Sequence, residues 1–329
     1  MMRAFVQHME NTGVPTGTRN QYRSNFNAHI LDAIGEVKCA DLSIRSYTAL
    51  MDAMTAAGDK GPTIKAVNRT LNSMVSFGEP RGYFPTENPF GTDRQRKSVF
   101  SEAMKTAARR SETPRTQIRL DHCPSRTDVE KFAVAFERAY PGFGFQLVLL
   151  AYSTGLRIGE ILALRICDIL DNEDGDIEIS VTRQLDRHQP WPATVPPKGG
   201  RPRTTIVWDY YRWVLEDLTA KARARTGAEH GWLFPRHPSS QKAWLRYAGG
   251  LATVAATESE WGWNFHWLRH AFASVSLAPQ SAGGYELELA SVQRYLGHRK
   301  PSTTQDMYLV PQKEHIKNAR RRTKEAPGH

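Results

Sequence analysis

A tyrosine near the end of the chain stands downstream of arginines, histidines and a lysine that could together act on a phosphodiester. Arginine presents a planar fork of donors that matches phosphate oxygens, and it keeps its charge. A tyrosine oxygen can attack phosphorus and form a covalent intermediate. These residue types predict phosphodiester transfer that needs neither a metal ion nor a nucleotide cofactor. In chain order the candidate residues are Arg157, Lys198, His266, Arg269, His298 and Tyr308.

The first arginine and the lysine each have a purely structural interpretation as well. Arg157 lies in an apolar stretch, where Glu160 and Asp168 could hold it in a salt bridge. The lysine belongs to the glycine-rich turn PPKGGRPR, where it could donate a proton to a leaving oxygen or simply be solvated. The sequence does not separate its role from those of Arg201 and Arg203.

The later residues are also ambiguous when each is taken alone. His266 and Arg269 stand three apart, which places them on one face of a helix. His298 could bind a phosphate oxygen in the transition state, or interact with the dipole of the helix before it. Tyr308 could be a core aromatic. The functional interpretation therefore depends on the conjunction of all six residues.

Composition favours a two-domain protein with a polyanionic partner. The chain has 329 residues, more than one typical core, and a net charge of +10. A basic surface without a partner would have the same composition. The three cysteines are far apart and form no CxxC pair, which predicts neither a zinc site nor disulfides. The sequence shows neither a long apolar run nor a signal-peptide core, so we expect a cytoplasmic protein without a membrane span.

Residues 1–90 are expected to form a helical domain. Apolar residues recur at three- and four-residue steps in RNQYRSNFNAHILDAIG, DLSIRSYTALMDAMTAAG and GPTIKAVNRTLNSMVSFG. Residues 91–120 contain eight Lys or Arg against three Asp or Glu. This excess predicts a basic linker, which is either solvated or laid along a phosphate backbone.

A second domain is expected over residues 121–310. Thr127 and Glu130 have capping-box spacing at its start. Two buried helices are predicted through GFQLVLLAYSTGLRIGEILALRICDI, with a break at Gly155. The alternation in IEISVTR predicts a half-buried strand, and a turn leads to a second strand through Ile206. The fold class is thus mainly α, with a small antiparallel sheet in an α+β second domain. A basic tail is expected over residues 311–329.

Four segments of the second domain carry a resemblance to a known family. They are TGLRIGEILALRICDI, PPKGGRPRTTIV, HWLRHAFAS and VQRYLGHRKPSTTQDMYLV. In these segments the chain resembles the tyrosine recombinases of the phage integrase family. The resemblance spans about residues 121–310, which would be the catalytic domain. More weakly, residues 1–90 resemble the family's helical core-DNA-binding (SAM-like) domain.

The resemblance implies roles for the six residues. Tyr308 would be the nucleophile that forms a 3′-phosphotyrosyl bond, and Arg157 and Arg269 would clamp the scissile phosphate. His266 would assist as acid or base and as a phosphate ligand. Lys198 would be the general acid, and His298 would stabilise the transition state. His270 would support the site, and Glu160 and Asp168 would either hold the site residues in place or have a purely structural role. Because the covalent bond conserves the energy of the phosphodiester, rejoining would need no ATP. The arginine, histidine and tyrosine set would act on the phosphate without a metal ion.

The resemblance also implies partners and leaves alternatives open. A homotetramer would exchange strands between double-stranded DNA recombination sites through a Holliday junction, to integrate or excise a phage or other mobile element. An accessory directionality factor would be a further partner. Helices that begin near Thr18 leave no room for the arm-site-binding domain of many integrases, so the chain is either a simple recombinase or lacks its true start. Two other classes remain, a relaxing enzyme similar to type IB topoisomerases and a non-catalytic DNA-binding protein.

Overall fold

The chain divides into two compact units, Met1–Arg115 and Thr116–His329, each with its own hydrophobic core. The computed structural model describes residues 1–85, 88–110, 124–171, 177–186, 188–189, 192–235 and 263–297. Two candidate site residues, His298 and Tyr308, lie outside the described residues, as does the basic tail. Among the helices that are described, none is both long enough and apolar enough to cross a membrane.

The first unit consists of helices whose apolar faces meet in one core. The helices are α1 (Met2–Asn11), α2 (Thr16–Asn25), α3 (Leu31–Ile34), α4 (Ile44–Ala56), α5 (Gly61–Gly78) and α6 (Asp93–Arg110). A π-helical segment, Phe26–Ile30, connects α2 to α3. The three predicted helical segments are confirmed, although helical structure begins at Met2 and not near Thr18. Pro62 lies in the first turn of α5, where its missing N–H would have had no helical partner.

Helix α6 occupies most of the segment that the charge pattern assigned to a linker. It packs against α4 and α5, and Ala103 and Ala107 are buried in the core of the first unit. Five of its six Lys and Arg residues are exposed. The expected linker is therefore wrong for residues 93–110, because small alanines anchor the helix while its charges face outward. Residues 111–123 lie outside the described part of the chain.

The second unit begins its described part with a capped helix. Its helices are α7 (Arg126–Ala139), α8 (Gly144–Thr154), α9 (Ile158–Ile161), α10 (Arg212–Thr226), α11 (Trp267–Leu277) and α12 (Leu289–Leu296). The Asp128 N–H donates to Ser125 Oγ at 3.2 Å, and the Ser125 N–H donates to Asp128 Oδ2 at 3.1 Å. The capping box is therefore Ser125–Asp128, and the predicted Thr127–Glu130 pair is wrong by two residues. Ser125 precedes the helix and can accept from its first turn.

Two small antiparallel sheets lie between the helices of the second unit. The strands are β1 (Ile169–Asp171), β2 (Ile177–Val181), β3 (Gln184–Leu185), β4 (Thr194–Val195) and β5 (Arg203–Ile206). One sheet has the order β1-β2-β5, and β3 pairs with β4 in the other. Strand β2 alternates between buried and half-buried residues, as its sequence predicts. In the register of β2 and β5, Val181 pairs with Arg203 and Ile179 pairs with Thr205.

Candidate active site

Helix α8 ends at a glycine that the packing requires. Gly155 has a φ of +65°, the left-handed conformation that commonly ends helices. A Cβ atom at this position would lie 2.4 Å from Phe272 Cδ1 and 2.9 Å from Leu296 Cδ2. The chain then passes through buried Leu156 to Arg157, which precedes α9. The break at Gly155 is confirmed, but the second predicted helix is only one turn long.

Arg157 is held against a carboxylate inside the protein. Its N–H donates to Glu160 Oε2 at 2.9 Å, and its Nη1 donates to Glu160 Oε1 at 3.0 Å. Glu160 is fully buried, whereas 22% of the Arg157 side chain is exposed. The other expected carboxylate, Asp168, forms an ion pair with Arg183 instead. One carboxylate thus fixes the backbone and the guanidinium of Arg157, while part of the side chain stays accessible.

A second arginine binds the same carboxylate from strand β5. Arg203 Nη1 and Nη2 donate to the two oxygens of Glu160 at 3.0 Å and 2.6 Å. Burial alone would raise the pKa of Glu160. The hydrogen bonds and charge of Arg203, with the charge and N–H of Arg157, outweigh burial and lower that pKa from 4.5 to about 2. Glu160 is therefore ionised at neutral pH, and it bridges two guanidinium groups.

The histidine and arginine of the HWLRHAFAS segment lie at the start of α11. The His266 N–H donates to Asn264 Oδ1 at 3.0 Å, and His266 immediately precedes the first helical residue. Arg269 is buried and donates from Nη1 to the Gly155 carbonyl at 2.6 Å and from Nη2 to the Leu296 carbonyl. The side chain of Arg269 therefore connects the end of α8 to the end of α12.

The electrostatic environment of His266 connects it to three cations. Although His266 reaches the surface, the surrounding protein disfavours its charged form, and the positive charges of Arg269, Arg157 and Lys198 also lower its pKa below 6.5. Neutral imidazole is therefore the dominant form at neutral pH. Lys198 is exposed in the turn between β4 and β5, where the Gly200 N–H donates to the Pro197 carbonyl at 2.8 Å. A flexible ammonium on such a turn can approach a ligand bound beside His266.

Of the six predicted site residues, Arg157, Lys198 and Arg269 thus lie near enough to a fourth, His266, for their charges to lower its pKa. For His298 and Tyr308, their placement and roles stay predictions. The sequence could not separate Arg203 from Arg201, although the structure distinguishes them. Arg203 pairs with inward-facing Val181 and shares the buried face of the sheet, whereas Arg201 is exposed. Strand alternation could have indicated this difference only if the register between β2 and β5 had been known.

The four residues suit chemistry on a phosphodiester. The partly exposed Arg157 can donate to a phosphate oxygen, and guanidinium groups bind such oxygens in a fork geometry. A neutral His266 can accept a proton, and the Lys198 ammonium can donate one. The exposed Lys198 and the partly exposed Arg157 are the cations of this set that can attract an anionic ligand from solvent.

Comparison with known proteins identifies the family. Residues 139–315 match the family model described as the phage integrase family, which is more than half of the chain. The chain therefore belongs to the phage integrase family. It is a tyrosine recombinase, an enzyme class that breaks and rejoins DNA.

Sequence relatives carry recombinase names. The chain is 28% identical over 229 residues to tyrosine recombinase XerD of Caulobacter vibrioides, an alignment that covers 66% of this chain and 67% of the relative. It is 31% identical over 159 residues to tyrosine recombinase XerC of Bradyrhizobium diazoefficiens, covering 48% and 43%. The matches thus span between 43% and 67% of the length of these relatives.

Solved structures of integrases share the fold. The Tn1549 transposon integrase in complex with a circular intermediate DNA has a TM-score of 0.66 and 17% identity, with 98% of each chain covered. A lambda integrase dimer bound to a COC' core site has a TM-score of 0.60 and 16% identity, with 93% of each chain covered. These likenesses confirm the fold class, a mainly helical protein with a small antiparallel sheet.

Proposed function

We propose that this chain is a site-specific recombinase that cuts and rejoins double-stranded DNA through a 3′-phosphotyrosyl intermediate. The observation that carries the proposal is that Arg269 donates to the Gly155 carbonyl, two residues before Arg157, inside a domain of the phage integrase family. The charges of both arginines and of Lys198 also act on His266. The family match also includes position 308, so the proposed nucleophile lies within the matched residues.

In the proposed reaction the tyrosine oxygen displaces a DNA oxygen at phosphorus. The Oη atom of Tyr308 forms a bond to phosphorus while the bond from phosphorus to the 5′ oxygen breaks. Arg157 and Arg269 balance the charge that develops on the non-bridging oxygens, and His298 adds a hydrogen bond. Neutral His266 accepts the phenol proton, and Lys198 protonates the leaving 5′ oxygen. The reverse attack by a 5′ hydroxyl rejoins the strand without an external energy source.

Covalent trapping on a nicked suicide substrate tests this chemistry. The wild-type chain should form a denaturant-resistant adduct with the DNA, and Tyr308→Phe should abolish it because the phenol oxygen is the attacking atom. Tyr295→Phe is a matched control, since Tyr295 packs against the core of the second unit and its ring would be retained. An adduct that survives in the Tyr308→Phe variant would refute the assignment of the nucleophile.

The first unit offers a surface for the DNA. Lys65, Arg69, Asn72 and Ser76 are exposed along α5, at the three- and four-residue spacing of one helix face. They line an open cleft of about 640 Å³ together with Phe100 of α6. Lysine and arginine can neutralise phosphates, while an asparagine amide can bind an adenine edge. We propose that this cleft contacts the recombination site and that the first unit is the core-DNA-binding domain.

The salt dependence of DNA binding tests the cleft. The double variant Lys65→Gln, Arg69→Gln should bind more weakly and lower the slope of log K against log salt by about 0.9 for each lost phosphate contact. The exposed Lys38, which does not line the cleft, provides a control as Lys38→Gln. An unchanged slope in the double variant would exclude this surface from DNA binding.

We propose that the active assembly is a homotetramer, and that it integrates or excises a mobile element. Among the structures with the same fold are a transposon integrase and a lambda integrase tetramer bound to a Holliday junction, the latter with a TM-score of 0.59 and 17% identity. The proposal predicts strand exchange between two specific sites and a junction intermediate. Relaxation of any supercoiled plasmid by a monomer would favour the topoisomerase class, and binding without cleavage would favour a DNA-binding protein.

A further inference from the structure

Two buried arginines of the second unit end on consecutive carbonyl groups. Arg203 Nε donates to the Tyr295 carbonyl at 2.8 Å, and Arg269 Nη2 donates to the next carbonyl, that of Leu296. Both carbonyls belong to the last turn of α12, where the final carbonyls of a helix have no partner within the helix. The C-terminus of α12 is therefore held by two cations.

The other end of each arginine leads to the segment around Arg157. Both terminal nitrogens of Arg203 donate to Glu160, and Glu160 accepts from the backbone N–H and the guanidinium of Arg157. Arg269 donates to the Gly155 carbonyl, two residues before Arg157. The contacts thus form a closed ring that runs from α9 through β5 to the end of α12, and back through α11 to the end of α8.

Arg203 is held in this position by packing and by directional hydrogen bonds, and not by its charge alone. Only 7% of its side chain is exposed, and its Nε and both terminal nitrogens donate to protein atoms. Gly297, the residue before His298, has a φ of +66°, and a Cβ there would lie 2.9 Å from Arg203 Cδ. The chain can pass this point closely because the arginine stem packs against a residue without a side chain.

From this ring of contacts we infer that Arg203 is a positioning residue for the recombination reaction. It fixes Glu160, and through Glu160 the guanidinium of Arg157, at a set place relative to the end of α12. Because its terminal nitrogens and its Nε are all used within the protein, it does not need to contact DNA. The inference rests on the proposed function, in which Arg157 binds the scissile phosphate.

The rate of covalent cleavage at saturating protein, measured beside the affinity for the same DNA site, tests the inference. In Arg203→Lys the charge remains, but one ammonium cannot replace a fork that reaches three acceptors. Displacement of a binding group by about 1 Å lowers a rate by about a hundredfold. We expect Arg203→Lys and Arg203→Met to cleave about tenfold to a hundredfold more slowly, with DNA affinity within about threefold of wild type.

A double-mutant cycle shows whether the effect passes through Glu160. If Arg203 acts by holding Glu160, the variant Glu160→Gln, Arg203→Met should cleave within about threefold of Glu160→Gln alone. Two independent roles would instead multiply the two losses, which would overturn the inference. The double variant also carries no unpaired buried carboxylate, so it provides a folded comparison if Arg203→Met alone does not fold.

The chain supplies a matched control for loss of a buried arginine. Arg183 pairs with the largely buried Asp168 and also donates to the Ala163 carbonyl at 3.3 Å, but within the described part of the chain it does not bind the end of α12. Arg183→Met should therefore retain the wild-type cleavage rate at a temperature where the protein stays folded. If wild type forms no adduct, the proposed function fails. Only the positioning role fails if wild type cleaves and both Arg203 variants cleave at the wild-type rate. The same holds if the variants lose DNA affinity but keep the wild-type cleavage rate.

Discussion

Gly155 gives a sharp test of how the end of α8 is packed, because the chain contains a second glycine in the same conformation without the same neighbours. Gly155 has a φ of +65° and Gly227, which ends α10, has a φ of +63°. A Cβ at Gly155 would lie 2.4 Å from Phe272 Cδ1, whereas a Cβ at Gly227 would have no atom of the described residues within 4 Å. The two alanine variants therefore share the backbone strain and differ in the steric clash.

The free energies follow from these two terms. A left-handed conformation disfavours an alanine by about 1–2 kcal/mol, which is the whole expected loss for Gly227→Ala. Overpacking of a closed core adds about 1–3 kcal/mol, so Gly155→Ala should lose about 2–5 kcal/mol of unfolding free energy. The rings and methyl groups around position 155 can relax a little, and the lower end of the range corresponds to that relaxation.

Urea denaturation followed by tryptophan fluorescence measures both losses in the relevant unit. All eight tryptophans lie after residue 190, so the signal reports the second unit alone. The two variants should have the wild-type dependence of free energy on urea and different midpoints. Equal midpoints for Gly155→Ala and Gly227→Ala would refute the packing argument, because strain alone would then account for both.

The same pair of variants should differ in DNA cleavage. The Gly155 carbonyl accepts a hydrogen bond from Arg269 at 2.6 Å, and Leu296, which would be displaced, provides another acceptor for the same arginine. Gly155→Ala should therefore slow covalent trapping even at a temperature where the variant is fully folded. Gly227→Ala should trap DNA at the wild-type rate under the same conditions.

Two further predictions concern ionisation. Lys198→Met should raise the pKa of His266 toward 6.5, measured by NMR titration of the imidazole, because one of the charges that lower this pKa is removed; an equal rise in the control Arg201→Met would contradict the specific placement of Lys198. The low pKa of Glu160 stabilises the fold above pH 4.5, and this contribution is lost as the pH falls toward 2. Between pH 7 and pH 3.5 the wild type should therefore lose on the order of 1 kcal/mol more unfolding free energy than Glu160→Gln, and equal losses in urea titrations would contradict the low pKa.

The sequence predicted those elements whose apolar pattern is both regular and interrupted by polar residues. Helix α4 shows the pattern, since its buried residues Tyr47, Leu50, Met51 and Met54 recur at three- and four-residue steps. Strand β2 shows the other period, with alternate buried residues. In both cases one face of the element is buried and the opposite face is not. The period of the apolar residues therefore predicts whether such a segment is a helix or a strand.

Other elements were misjudged where that contrast is weak. Helix α6 is anchored by Ala103 and Ala107, and alanines add little to an apolar pattern in a segment that is rich in charge. In the stretch after Gly155 the contrast is weak for the opposite reason, because too many residues are apolar and buried. Every residue from Leu156 to Ile166 is buried or half-buried, so a one-turn helix and a long buried helix have similar sequences there. Capping was ambiguous because Ser125 and Thr127 each precede an acidic residue by three positions.

The residue types of the candidate site were predictable from the sequence, but the separate role of each arginine was not. Arginine at position 157 or 269 is suited to phosphate by its chemistry alone. Arg203 has the same chemistry, yet its fork binds Glu160 and its Nε binds a carbonyl, because long-range pairing of β5 with β2 turns it inward. A contact between residues 43 positions apart leaves no local pattern in the sequence.

The ring of contacts also affects how loss of activity at Arg269 should be interpreted. Arg269 donates to the Gly155 and Leu296 carbonyls and is buried, so its removal leaves two acceptors without their donor and loosens the end of α12. An inactive Arg269 variant would thus be expected whether or not the guanidinium contacts phosphate. Arg157 is the better probe, because part of its side chain is exposed and its protein contacts lie on one carboxylate. If Arg157→Lys keeps the unfolding free energy but loses cleavage, the phosphate role is supported independently of the scaffold, whereas parallel losses of both would assign Arg157 to the scaffold alone.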